Sequence, residues 1–257
     1  MTSIGSIDAD ALPTPESLGL ARLVHREEVT STMDIAHELA AAGAAAGTLV
    51  LADRQMSGRG RGGHRWTSEA GAGLWMTLVE RPADARDVSM LSLRLGLALA
   101  DALSPLVDEP VALKWPNDVF VGPGKVAGIL VEARWRDTAI DWVAIGIGIN
   151  RRVPSTVPGA AAVRPGVSRG TLLAAVVPGL RDAARRRGPL SVEERGSWHA
   201  RDLARGRSIS RPLRGVVEGI AADGALLVMT EPGRPATLVR TGSIVFDVAV
   251  DHDPEAA

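Results

Sequence analysis

The alternation of apolar and polar positions along the chain divides it into strands, helices and turns. LARLVHREEV (20–29) suits a strand, and TSTMDIAHELAAAG (30–43) predicts a helix with a hydroxyl cap at Thr30 or Ser31, Asp34 in its first turn and Gly43 as its stop. GTLVLADRQ (47–55) and GLWMTLVE (73–80) are nearly continuous apolar runs of strand length, the pattern of buried strands. VSMLSLRLGLALADAL (88–103) is apolar nearly all round and long enough for a buried helix. VALKW (111–115), KVAGILVEARW (125–135) and DWVAIGIGIN (141–150) predict three more strands, the last two pairing through a turn around Arg136–Asp141. SRGTLLAAVVPGLRDAARRRG (168–188) and SVEERGSWHARDL (191–203) predict helices, the first broken by Pro178.

After Arg205 the texture changes to short β-rich runs with turns at Asp223-Gly224, Pro232-Gly233 and Thr241-Gly242. Residues 205–250 therefore predict a small all-β unit, expected to be an SH3-like barrel packed on a main domain at 20–204. Residues 1–19 are expected to form a disordered leader and 251–257 a frayed tail.

Composition narrows the chemistry. The chain of 257 residues is 46% apolar, has a formal net charge of −1 and contains no cysteine. No global field is available to hold nucleic acid or an acidic membrane, and disulfides, thiolate metal sites and a cysteine nucleophile are excluded. The acidic start MTSIGSIDADALPTPESLG lacks the basic and apolar regions of a signal peptide. No uninterrupted apolar run of roughly 18 residues occurs, so a soluble cytoplasmic protein is expected. The only lysines, Lys114 and Lys125, both lie in KWPNDVFVGPGKVAGILVE (114–132); every other basic side chain apart from histidine is arginine. The only asparagines are Asn117 and Asn150, and the only glutamine is Gln55. In a chain this poor in Lys, Asn and Gln, the survivors mark positions where Arg or Glu would fail chemically.

Three motifs carry candidate chemistry. SGRGRGGHRW (57–66) contains G-x-G-x-x-G at Gly58, Gly60 and Gly63, with Glu80 downstream, but the residues that follow have neither the period nor the length of a dinucleotide-binding helix. Its Arg59, Arg61 and Arg65 suit a flexible loop closing on an anion, or an exposed turn. GPGKVAG (122–128) is not a phosphate loop, because Val126 stands where a magnesium-binding hydroxyl is needed. Lys125 opens an apolar strand there, where its ammonium can point into a cleft. KWPND (114–118) ends a strand at a Pro-forced bend and projects Asn117 and Asp118, while Asn150 closes the strand IGIGIN. The five histidines show no metal-ligand spacing.

The ordered set TSTMD, DRQMSGRGRGGHRW, KWPNDVFVGPGKVAGILVE, GIGIN and a C-terminal β unit resembles biotin–protein ligase over roughly residues 20 to 247. The resemblance implies an α/β catalytic domain on a mixed central sheet of the biotin/lipoate ligase type, followed by an SH3-like domain. It also implies two steps: biotin and ATP give biotinyl-5′-AMP and pyrophosphate, then a lysine of a biotin carboxyl carrier protein, part of acetyl-CoA or acyl-CoA carboxylase, attacks the adenylate. Carried over by position, Ser31, Thr32, Met33, Gln55, Gly58, Arg59, Gly60, Arg61, Lys125 and Gly128 would bind biotin. Arg59, Arg61, Trp66, Lys114, Asn117, Asp118, Lys125 and Asn150 would serve ATP and the adenylate, with Mg²⁺ an expected companion and no metal ligand assigned. Lys125, Arg59 and Arg61 would be the catalytic cations.

Met33, His64 and Arg151 depart from the residues common in such ligases, which would weaken loop closure and adenylate retention. No DNA-binding domain is expected before residue 20, and the resemblance leaves room for a homodimer. Rival readings are a lipoate–protein ligase of the same fold and a non-catalytic biotin-binding protein.

Overall fold

The computed structural model describes residues 12–82 and 86–247. The elements in chain order are β1 (Arg22–Val29), α1 (Thr32–Ala41), β2 (Thr48–Gln55), β3 (Gly58–Arg59), β4 (Arg65–Trp66), β5 (Gly73–Glu80) and α2 (Arg86–Leu103). Then follow β6 (Val111–Lys114), β7 (Asp118–Val121), β8 (Gly124–Arg136), β9 (Ala139–Asn150), α3 (Arg169–Arg185) and α4 (Val192–His199). The last five are β10 (Ser208–Arg211), β11 (Gly215–Ile220), β12 (Leu226–Met229), β13 (Thr237–Val239) and β14 (Val245–Phe246).

A seven-stranded sheet runs β1-β2-β5-β9-β8-β7-β6. Only β1 and β2 are parallel, joined by the α1 crossover, so the sheet is mixed as expected. Period-2 alternation sorts its residues between two faces. Val143, Ile145, Ile147 and Ile149 of β9 join Leu74, Met76 and Leu78 of β5 in a core shared with α2 and α3. On the opposite face Val50, Val79 and Ala144 pack under Met33, Ala36 and Ala40 of α1. Ile145 and Ile149 are fully buried, each worth about 1.5–3 kcal/mol over exposure.

The helix at 88–103 is present and begins at Arg86. Val88–Leu106 is long and apolar enough to cross a membrane, yet 56% of it is buried within the fold. At α1, Ser31 caps the helix by accepting from the Met33 N–H. The C-terminal residues form a separate open sheet in the order β13-β12-β11-β10-β14.

Three local expectations change. Strand β7 was not foreseen: KWPND does not simply end a strand but turns it back, pairing Lys114 with Asp118 in a hairpin. Part of the expected leader is ordered, since Leu18 is buried in the core and Arg181 donates to the Gly19 carbonyl at 2.6 Å; its residues 1–11 and the 251–257 tail lie outside the described residues. Helix α3 continues through Pro178 instead of breaking there. Pro178 and Ala174 are both exposed, so water can serve the carbonyl that loses its helical donor, while Leu172, Leu173, Val176, Val177 and Leu180 hold the buried face.

Pro178→Ala restores that donor. It is expected to raise stability by roughly 1–3 kcal/mol in denaturant unfolding; unchanged stability would show that the helix carries no penalty there.

Candidate functional site

A cavity of about 190 Å³ opens on the α1 face of the large sheet. The middle of its floor is made of strand positions without side chains, flanked by Thr77 and Leu130. Gly128 of β8 lies directly opposite Gly148 of β9, with Gly146 one pleat further on. The Trp66 indole lies over this floor so closely that a Cβ on Gly148 would sit 2.5 Å from the ring, and one on Gly128 2.7 Å from it. Met33 closes the neighbouring side, its Cε 2.7 Å from where a Gly146 Cβ would stand.

One end of the cavity is a neutral hydrogen-bonded cradle. Gln55 Oε1 accepts from the Thr32 backbone N–H at 2.8 Å and from the Thr32 hydroxyl at 3.0 Å. Its amide nitrogen donates to Ser68 Oγ at 2.8 Å, and the Thr32 and Thr77 hydroxyls lie 2.8 Å apart. Gln55 thus spans the space between the α1 N-terminus and the segment after β4, and sets the orientation of Thr32.

The other end is cationic. Lys125 Nζ is 2.6 Å from Asp118 Oδ1 and 5.1 Å from the Trp66 ring centroid. A β-bulge gives Lys125 this direction. The β7–β8 register shifts so that Val119 faces Ala127 while Phe120 faces Lys125, and Val126 and Ala127 both enter the core. Strict alternation would put Lys125 on the face opposite Gly128; the extra residue turns it to the same side. The Lys125 backbone is held by Gly159 O, which accepts from its N–H, and by its carbonyl, which accepts from Ala161 N and Asn150 Nδ2.

Arg61 donates to Asn117 Oδ1 at 3.2 Å and to the Gly242 carbonyl at 3.3 Å, tying the Gly/Arg loop to the C-terminal sheet, whose Ser243 also lines the cavity. Burial lowers the Arg61 pKa from its ordinary value, with the Asp118 charge opposing.

The expected residues separate into two groups. Ser31, Thr32, Met33, Gln55, Arg59, Gly60, Arg61, Trp66, Asn117, Asp118, Lys125 and Gly128 line the cavity. Gly58, Lys114 and Asn150 do not. Gly58 is buried where β3 pairs with β4, and a Cβ there would come 2.5 Å from the Trp66 carbonyl. Asn150 bonds Lys125 O and Ala161 O, so it positions a cavity residue from behind. Lys114 stands outside, near two aromatic rings.

Arg59, though at the rim, is paired outward with Asp34 at 2.6 Å, with Glu132 3.8 Å away. Asn117 Nδ2 donates to the Ile129 carbonyl, which locks the hairpin bend onto β8. Sequence reasoning missed Thr77, Ser68, Gly146, Gly148 and Ser243. The alternating Ile/Gly of IGIGIN was the available signal for the two glycines; single hydroxyl residues gave none. Among the described residues, no group of three or more His, Asp or Glu could hold a metal ion.

Residues 26–150 match the model of the Biotin/lipoate A/B protein ligase family. A biotin–[acetyl-CoA-carboxylase] ligase of Paracoccus denitrificans is 37% identical over 211 residues, covering 72% of this chain and 85% of that protein. The bifunctional ligase/repressor BirA of Bacillus subtilis is 38% identical over 129 residues, which are 50% of this chain but only 40% of BirA. The structure is similar to that of a biotin protein ligase from Aquifex aeolicus in complex with biotin and ATP, with TM-score 0.71, 27% identity, and coverage of 89% of this chain and 99% of that one.

Gln55→Leu would leave the buried Thr32 N–H without its acceptor. The expected cost is about 1–3 kcal/mol of stability, measured by denaturant unfolding; a cost below the error of the method would mean that Gln55 does not anchor α1.

Proposed function

The chain belongs to the biotin–protein ligases of the biotin/lipoate A/B protein ligase family, and from that premise we propose that it joins biotin, through biotinyl-5′-AMP, to a lysine of a biotin carboxyl carrier protein. One observation carries the reading: a single cavity has a neutral hydrogen-bonding cradle at one end and the Lys125–Asp118 pair with Arg61 at the other. A small polar head group suits the first end, and the meeting of a carboxylate with a phosphate suits the second.

In the first step a biotin carboxylate oxygen bonds to the α-phosphorus of ATP, and the bond from that phosphorus to the bridging oxygen breaks, releasing pyrophosphate. Both partners are anions, so the barrier is lowered by alignment and by positive charge already in place. Lys125 supplies that charge as a point donor on a flexible stem, able to follow oxygen atoms as the new bond forms. Asp118 holds the ammonium in position, and the bulge with the Asn150 bond fixes the backbone that carries it.

Arg61 neutralises phosphate charge from the loop side. Arg59 would join it only by exchanging Asp34 for the ligand. The Trp66 ring covers the slot and keeps water from the mixed anhydride. In the second step the carrier's lysine amine attacks the acyl carbon, the C–O bond to AMP breaks, and the amine proton is lost as the amide forms.

Mg²⁺ would be carried by the ATP phosphates and not by a protein site, because Asp118, the carboxylate in the cavity lining, is already engaged by Lys125; the ion would neutralise charge on the departing pyrophosphate. The near-neutral overall charge supports a protein that does not bind nucleic acid, and we read it as cytoplasmic. We further read 20–204 as the catalytic domain and 205–250 as an SH3-like domain, which the five short antiparallel strands support.

Pyrophosphate release with biotin and ATP tests the reading, with lipoate as the second arm. Release with biotin is expected; release with lipoate alone would move the chain to lipoate ligation, and release with neither would end the ligase reading. Lys125→Arg should lower adenylate formation by ~10²-fold or more. Near wild-type turnover would remove Lys125 from its role.

A further inference from the structure

Lys114 lies outside the cavity, and its surroundings are unusual for this chain. Its Nζ is 5.9 Å from the ring centroid of Phe120 and 5.3 Å from that of Phe246. These are the only two phenylalanines in the sequence. Phe120 belongs to β7 of the large sheet and Phe246 to β14 of the C-terminal sheet, so the ammonium bridges the two. Arg207 adds a second cation, its guanidinium carbon 3.6 Å from the Phe246 centroid.

Among the described residues, no carboxylate lies within ion-pair distance of Lys114, although Asp118 faces it across the β6–β7 hairpin and is engaged by Lys125. Two neighbouring bonds cross the same boundary: Trp115 Nε1 donates to Gly224 O at 3.1 Å, and Arg61 donates to Gly242 O. Cation–ring attraction strengthens where water is excluded, and Lys114 is half-buried.

We propose that Lys114 is a positioning residue, a cation pinned between Phe120 and Phe246 that fastens the C-terminal sheet against the catalytic sheet and so holds Gly242 and Ser243 at the cationic end of the cavity. It does not touch substrate. The conclusion deepens the ligase reading, resting on it for activity but not for docking. It also accounts for a lysine at this position. Arg207 already lies against the Phe246 ring, and a compact ammonium needs less room between two rings than a second planar guanidinium.

The test is amide hydrogen exchange on the full, unliganded chain for Lys114→Met, Phe246→Leu, Phe246→Tyr and the Lys114→Met/Phe246→Leu double variant. Lys114→Met and Phe246→Leu should each speed exchange across 208–211 and 241–246 by roughly 2- to 30-fold, the range for loss of a cation–ring contact. Exchange in α2 and β9 should stay at the wild-type level, which reports an intact fold. Phe246→Tyr, which keeps the ring, should keep protection, and the double variant should be no faster than the faster single one. In turnover, Lys114→Met should raise KM for ATP more than it lowers kcat and leave biotin Kd unchanged.

Unchanged exchange in Lys114→Met overturns the proposal, as do effects of the two substitutions that multiply independently. Weaker ATP binding in Lys114→Met with normal exchange and a normal Phe246→Leu would make Lys114 a nucleotide ligand, which also overturns it. If wild type releases no pyrophosphate while the exchange coupling persists, the pin stands and the ligase reading falls.

Discussion

The strict alternation of two neighbouring strands governs this molecule. In β9, isoleucines at 145, 147 and 149 point into the core under α2 and α3, so residues 146 and 148 must point the other way. Both are glycine, and Gly128 of β8 lies beside Gly148. The residues that glue the sheet to its helices therefore also determine where the opposite face is bare, and that bare ground becomes the cavity floor. A register slip of one residue would exchange core and cavity.

The second constraint is the direction of a single cation. Alternation alone would send Lys125 into the core, where an unpaired ammonium would carry a heavy desolvation penalty. The bulge at Val126–Ala127 resolves this by placing two apolar residues inward in succession and Lys125 outward, within reach of Asp118. The hairpin that carries Asp118 also carries Lys114 and Trp115, which meet the C-terminal sheet. Charge placement in the cavity and the seating of the smaller sheet are thus built on the same few residues of β6 and β7.

Much of this was legible beforehand. Apolar runs and caps located every long element of the large sheet and its helices to within a few residues, because each of those signals is local. The rarity of Lys, Asn and Gln singled out Gln55, Asn117 and Lys125, all of which line the cavity. What escaped detection depended on tertiary context. The hairpin strand β7 follows a proline bend that looks terminal in sequence, and the bulge is a property of pairing with β7. The continuity of α3 through Pro178 depends on packing and on the exposure of one carbonyl. The same rarity singled out Lys114 and Asn150 for the adenylate, yet neither lines the cavity, which no spacing rule reveals.

A floor made of backbone differs in kind from one made of side chains. Rotamers can shift to admit a larger guest, whereas the Gly128–Gly148 surface is fixed by ladder hydrogen bonds that span the whole sheet. Any change at those glycines adds atoms and none can remove them. Enlargement of what the cavity accepts is therefore confined to its walls, Met33 and Trp66 among them, whose side chains meet the floor at van der Waals range. Selectivity in this lineage would evolve like a door frame changing around an unalterable threshold.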